Sequence, residues 1–260
     1  MLAKDIIKSM NEWADPKFID TWDNTGFQIG DENNNIKKIL VSLDLDRLVL
    51  DYAIENNYDM IINHHPLIFK PIKSITTNNH KEKIIYDLIK SNIVVYNAHT
   101  NLDQAEGGVS SELARVLGLK DPITLTDSEI ENSGYGKIGD IKEMTTREYA
   151  DLIKRKLNIE HLTIYGDINK KIKKVALCGG AGSDFIYDAY KNKADLYITG
   201  DIKYHEAQMA DELGLSIIDP GHFHTEKLIL PVIKEYLEEN KEGNLTIDIW
   251  NEPSPKYLIY

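Results

Sequence analysis

Apolar residues fall in short, dense runs separated by longer amphipathic stretches. KKILVSL (37–43), YDMIIN (58–63) and IVVYNA (93–98) are near-continuous apolar runs of strand length, the pattern of buried strands. Between them, DLDRLVLDYAIENN (44–57) and KEKIIYDLIKSN (81–92) read as helices, and SELARVLGL (111–119) reads as a helix closed by Gly118. At the N-terminus Leu2, Ile6, Ile7 and Met10 share one helical face, and Pro16 ends that helix. Strands that alternate with helices of this length predict βαβ units, an α/β class and a largely parallel sheet.

The second half repeats the first. IKKILVSLDLD from residue 36 resembles IKKVALCGGAG from residue 172, an offset of 136. The same offset sets Ala53 on Ala189, Asp59 on Asp195, Ile62 on Ile198 and His65 on Asp201. IVVYNAHTNLD (93–103) lies against SIIDPGHFHTE (216–226) at an offset of 123, which sets His99 on His222 and Asp103 on Glu226. The chain is therefore expected to form two similar α/β lobes by internal duplication. Residues 1–125 form the first, with 227–260 packing back on it, and 126–226 form the second. Residues 126–170, polar and then weakly strand-like at HLTIYG, join them.

Composition narrows the function classes. The 260 residues suffice for one large or two modest cores. Forty-two acids against 30 bases give a net charge of −12, which argues against a broad nucleic-acid footprint. The single cysteine, Cys178, allows no intrachain disulfide and fits a reducing, cytoplasmic home. The N-terminus lacks the apolar core of a secretory signal, and no apolar run is long enough to span a membrane.

Chemistry concentrates where strands end. Sheets of this class bind ligands beyond the carboxyl ends of their strands. Three polar clusters sit there: His64-His65, His99 to Asp103, and His222 to Glu226. They offer imidazoles and carboxylates without thiolates, a set suited to zinc, iron, manganese or nickel. Adjacent histidines crowd one ion, but each can serve one of two. A carboxylate, Glu226 or Asp103, can bridge a pair roughly 3.5–4 Å apart. His224 is not expected to be a ligand, His80 and His161 read as surface residues, and His205 as a residue that lines the pocket. CGGAGSD (178–184) reads as a tight strand-to-helix turn rather than a dinucleotide fingerprint, and Ser110 or Ser111 as a helix cap. Cys178, ending VALC, reads as a buried structural thiol. No nucleophile elbow or Walker loop is present.

WDNTGFQIG (22–30), INHHPLIF (62–69), NAHTNLD (97–103), GGAGSDFI (179–186), TGDIKYHEA (199–207) and GHFHTE (221–226) follow one another in an order that resembles the GTP cyclohydrolase 1 type 2 homolog family, also called the Nif-three-like family. The GGV and LGL pieces between 107 and 119 belong to the same series, which covers nearly the whole chain. The resemblance implies a dinuclear metal centre between two α/β lobes and a toroidal homohexamer built as a trimer of dimers. It implies that His64 and Asp103 hold one ion, that His65 and His222 hold the other, and that Glu226 bridges them. His99 would stand close by, as a residue supporting the ligands or as the catalytic proton carrier. Ser110-Ser111 replaces the Asn-Asp common in the family, and 260 residues leave no room for the inserted domain of longer relatives.

The expected function is a metal-dependent hydrolase acting on a small molecule. The family name implies a nucleotide: opening of the guanine ring of GTP with loss of formate. An anionic substrate would need the metals and lysines such as Lys70, Lys73 or Lys203 to offset the net charge. Alternatives are hydrolysis of another phosphoester or amide, and a non-enzymatic metal-binding scaffold or metal-handling protein.

Overall fold

A computed structural model of the chain describes residues 1–126, 128, 130, 131, 133–241 and 243–253. In chain order the elements are α1 (Ala3–Trp13), β1 (Gly26–Ile29), β2 (Lys38–Ser42), α2 (Arg47–Glu55), β3 (Met60–Asn63), α3 (His80–Lys90), β4 (Val94–Asn97) and α4 (Thr100–Gln104). There follow α5 (Val109–Leu117), β5 (Lys120–Thr124), β6 (Lys137–Thr145), α6 (Thr146–Leu157), β7 (Thr163–Tyr165), β8 (Lys171–Leu177) and α7 (Ile186–Lys191). The remainder comprises β9 (Leu196–Ile198), α8 (Tyr204–Glu212), β10 (Ser216–Asp219), α9 (His222–Glu226), α10 (Ile229–Glu239) and β11 (Thr246–Ile249). They form two compact α/β units. Of the described residues, one comprises Met1–Leu102 and 230–253; the other comprises Asp103–Ile229. α5 and β5 thus lie in the second unit, ahead of the border expected at residue 125. The reason is packing: Leu113, Ala114 and Leu117 share a core with Tyr149, Ile153 and Val175.

The first unit is a five-stranded sheet in the order β1-β4-β3-β2-β11, parallel except for β1. Every residue of β3 and β4 is buried, which is why these strands show no alternation in sequence. Register aligns Ser42, Asn63 and Asn97, so the residues that follow leave the sheet at one edge. Side-chain caps set the helix starts: Asp46 accepts from Val49 N at 2.9 Å, and Asn79 from Lys81 N at 2.9 Å. The chain end returns to this unit. Tyr236 packs on Trp13 with ring centroids 4.8 Å apart, and β11 pairs with β2.

The second unit is a six-stranded sheet, β5-β6-β8-β9-β10-β7, parallel only at β8-β9-β10. Residues 126–170, expected as a polar joint, contribute β6, α6 and β7 to it. β6 is covered on both faces, Ile138 in the core of Ala176 and Tyr197 and Ile141 in that of Val175 and Leu196, so its apolar residues show no simple inside–outside alternation; a register shift also interrupts its pairing between Asp140 and Met144. α6 opens with a capping box: Glu148 N donates to Thr145 Oγ1 (3.2 Å), and Thr145 N to Glu148 Oε2 (2.7 Å). The N-cap of α5 is Gly108, not Ser110 or Ser111. Ser110 lies inside the helix, and its hydroxyl accepts from Gly179 N at 3.3 Å. Gly118 closes α5 at φ +78°.

The two units share a frame. Ile39 pairs with Met60 and Val175 with Leu196, both at the 136 offset. At the foot of each frame one carboxylate clasps two successive amides. Asp59 Oδ2 accepts from Lys37 N and Lys38 N at 2.8 and 2.9 Å; Asp195 Oδ2 accepts from Lys173 N and Lys174 N, both at 2.9 Å. The residue two before each aspartate, Asn57 or Lys193, has φ of +54° or +59°. The later block needs a correction. Met60 pairs with Val94 and Leu196 with Ser216, so the strand offset is 216 − 94 = 122, not 123. His222 therefore corresponds to Thr100, the first residue of α4, and Glu226 to Gln104.

A candidate metal centre

His64 and His65 follow β3 directly, where the strand ends and their backbone turns toward β2. His64 N donates to Ser42 O (3.2 Å) and Leu43 O (3.1 Å), and His65 N to Leu43 O (2.9 Å). Neighbouring side chains on a strand point to opposite faces, but once the ladder is left, two neighbouring imidazoles can serve one region. Their rings lie 5.0 Å apart, and that of His99, just past β4, lies 5.2 and 5.7 Å from them. One ligand nitrogen from each of the three falls within 4.8 Å of the others.

Each ring is held by Nδ1. His64, fully buried, faces Ala98 O at 2.7 Å, and a carbonyl can only accept. Nδ1 therefore carries the proton, and Nε2 the lone pair that a metal requires. His65 Nδ1 meets Asp44 Oδ1 at 2.9 Å, and His99 Nδ1 meets Asp23 Oδ1 at 3.0 Å. Asp23 has no exposed side-chain surface. Burial works against its charge, but hydrogen bonds from His99, Thr25 and Thr100 outweigh it and hold the carboxyl well below the usual range.

The second unit carries its own donors. His222 opens α9 after Gly221, whose φ of +91° turns the chain out of β10. His222 Nδ1 meets Asp201 Oδ2 at 2.8 Å. One turn later, on the same face, Glu226 brings Oε2 to 3.0 Å from His222 Nε2, although only 4% of Glu226 is exposed. Gly180 makes room for them. A Cβ there would sit 2.1 Å from Glu226 Oε1 and 3.3 Å from His222 Nε2. Asp103, on α4, is half-buried. Burial, with the charges of Asp103 and Glu226, pushes the Cys178 thiol far up, which favours the neutral thiol.

These donors fit a divalent metal: nitrogen and oxygen atoms from rings fixed by carboxylates and a carbonyl, in a cradle that a single methyl would fill. Asp23, Asp44 and Asp201 were not singled out as partners from sequence. All three stand in or beside quoted motifs, Asp44 two residues past β2 and Asp201 three past β9. His80, His161 and His205 are exposed, the last on α8; His224 is half-buried, with its pKa lowered chiefly by burial. CGGAG is the tight turn expected, with Gly180 O accepting from Gly200 N at 2.7 Å. No helix among the described residues is long and apolar enough to cross a membrane.

A family model described as Duf34/NIF3 (NGG1p interacting factor 3) matches residues 1–255. Over 254 residues the chain is 37% identical to the GTP cyclohydrolase 1 type 2 homolog of Clostridium perfringens, covering 97% of each. A Bacillus cereus protein related to NIF3 superposes with a TM-score of 0.94 at 26% identity, over 100% of this chain and 99% of that one. A hypothetical protein of Staphylococcus aureus does so at 0.91 and 29%, with the same coverage. With a match running nearly end to end and a shared two-lobe α/β fold, the chain belongs to the Duf34/NIF3 family.

Proposed function

We propose that the chain is a dinuclear metal-dependent hydrolase in which His64, His65, Asp103, His222 and Glu226 hold two divalent ions and His99 carries a proton. The observation that carries this reading is the set of the imidazoles. His64, His65, His99 and His222 each turn Nδ1 onto an oxygen 2.7–3.0 Å away, which fixes the ring and directs Nε2 to the ligand position; in His222 that Nε2 already faces Glu226 Oε2 at 3.0 Å. Zinc, iron, manganese or nickel suits these donors. Bound divalent ions would supply Lewis acidity, acidifying a water and offsetting negative charge that grows on an oxygen.

His99, backed by Asp23, is oriented to take a proton at Nε2 and return it to a leaving group. The name carried by relatives supports GTP as substrate. In that reaction a first water adds to the imidazole-ring carbon of guanine and one of its C–N bonds breaks to leave a formamide; a second water breaks the other, the freed nitrogens take up protons, and the carbon leaves as formate. Lys70, Lys73 and Lys203 are exposed and offer local positive charge to a nucleotide. The family's toroidal homohexamer and a cytoplasmic home complete the reading, the latter supported by one buried, unbridged cysteine.

The test is metal content of protein purified without chelator, alongside formate release from GTP. Two ions per chain with metal-dependent release, lost in His65→Ala, is the expected result. Glu226→Ala should keep the fold and lose at least one ion. Two ions without turnover would move the reading to another phosphoester or amide, or to metal handling. No metal after reconstitution would sink it.

A further inference from the structure

We infer that Trp22 and Phe69 form a subsite for a planar heteroaromatic ring beside His99. The inference rests on the proposed role of His99 and names the part of a substrate that this flank of the site would grip. Trp22 is 57% exposed and Phe69 39%. Their centroids lie 6.0 Å apart at 64°, and Trp22 stands 6.2 Å from the His99 ring at 83°. Two rings at an open angle offer a face and an edge at once, so a flat ring stacked on the indole meets Phe69 edge-on. Its reacting atoms would then lie next to an imidazole whose proton position is already fixed.

The wall is rigid, which a chance surface pair need not be. Phe69 is carried by a segment tied to the Trp22 turn. Ile68 N donates to Gln28 Oε1 at 2.9 Å, and Gln28 Nε2 returns to Ile68 O at 3.2 Å. Asn24 Nδ2 donates to the same carbonyl. Between Trp22 and Asn24 sits Asp23, bonded to His99 and, at 2.7 Å, to the Thr100 hydroxyl. One short turn, Trp-Asp-Asn-Thr, therefore sets the aromatic wall and the imidazole in one geometry. Such preorganisation lowers the cost of ordering on binding.

The probes are guanosine, GTP and ribose 5-phosphate, titrated into metal-free and metal-loaded protein by calorimetry and tryptophan fluorescence. Guanosine should bind in both forms and quench emission, and the quench should vanish in Trp22→Phe, since Trp13 and Trp250 remain in that variant. Trp22→Ala should weaken guanosine about tenfold or more, the scale of one base–aromatic stack, and Trp22→Phe should weaken it less. Metal content and assembly mass should stay unchanged. Equal guanosine affinity in Trp22→Ala would overturn the inference, as would ribose 5-phosphate binding as tightly as guanosine. A change of mass by light scattering at unchanged affinity would make the wall a contact between copies. Because binding is read in the metal-free form, failure of the hydrolase reading and failure of the subsite are separable.

Discussion

Gly180→Ala tests the cradle directly. Gly180 sits at φ +66°, where a side chain costs roughly 1–2 kcal/mol whatever the space around it. The added Cβ would also meet Glu226 Oε1 at 2.1 Å and Glu226 Cδ at 3.0 Å. Relaxation is blocked on the glycine side. Gly180 N donates to Thr225 Oγ1 at 3.0 Å, and Gly180 O accepts from Thr199 Oγ1 at 3.1 Å as well as from Gly200 N. Glu226 must therefore move, at an overpacking cost of about 1–3 kcal/mol. The sum is roughly 2–5 kcal/mol. Gly118→Ala is the control: its φ is +78°, and a Cβ there meets nothing within 4 Å, so only the backbone term of about 1–2 kcal/mol remains. Urea unfolding gives the two stabilities, and elemental analysis gives metal per chain. The control should keep its metal, while Gly180→Ala should lose more stability and at least one ion. If the two variants match in both readouts, the cradle has no bearing on Glu226.

Asp59→Ala and Asp195→Ala each remove a carboxylate that accepts two backbone amides, and urea unfolding should show a loss of about 1–3 kcal/mol for each, with Asn substitutions milder. Asp23 has a depressed folded-state pKa, so its contribution is fully present above the unfolded value near pH 4 and fades as pH falls through the folded value. The stability gap between wild type and Asp23→Asn should thus be flat from neutrality to about pH 4 and close below it; a gap that widens in acid would contradict the account. Cys178, buried with its thiol pKa raised, should resist a thiol reagent at pH 8 in native protein and react promptly in urea; rapid native labelling would show that the site opens.

Sequence reveals what is continuous and hides what is broken. β3 and β4 were legible because strands buried on both faces must be apolar throughout, and His64-His65 stood out against that run. β6 was not, because Ile138 and Ile141 serve cores on opposite faces, so its apolar residues do not alternate with polar ones. β5 was obscured by Pro122 and a largely exposed edge. Gly108 escaped notice as a cap because the adjacent serines are better capping residues in isolation. The second repeat was aligned one residue out, since matching His99 to His222 rewards side-chain identity, whereas strand pairing follows the backbone. The carboxylates behind the imidazoles come from loops distant in sequence, and no local pattern couples Asp23 to His99.

The twin aspartate clasps have an evolutionary consequence. Asp59 and Asp195 fasten the same foot in each copy, and separate apolar cores fill each unit. The opposite edge is thereby released from upholding the fold and can drift. At the 136 offset Asp44 faces Gly180, His64 faces Gly200 and His65 faces Asp201. In one copy the aspartate steadies an imidazole on its own strand edge; in the other its counterpart has become empty space for a glutamate. The position equivalent to His65, Asp201, steadies a different histidine, His222. The two copies share a foot and differ at the tip, so exchanging tip residues between them should disturb these side-chain pairings long before it disturbs the fold.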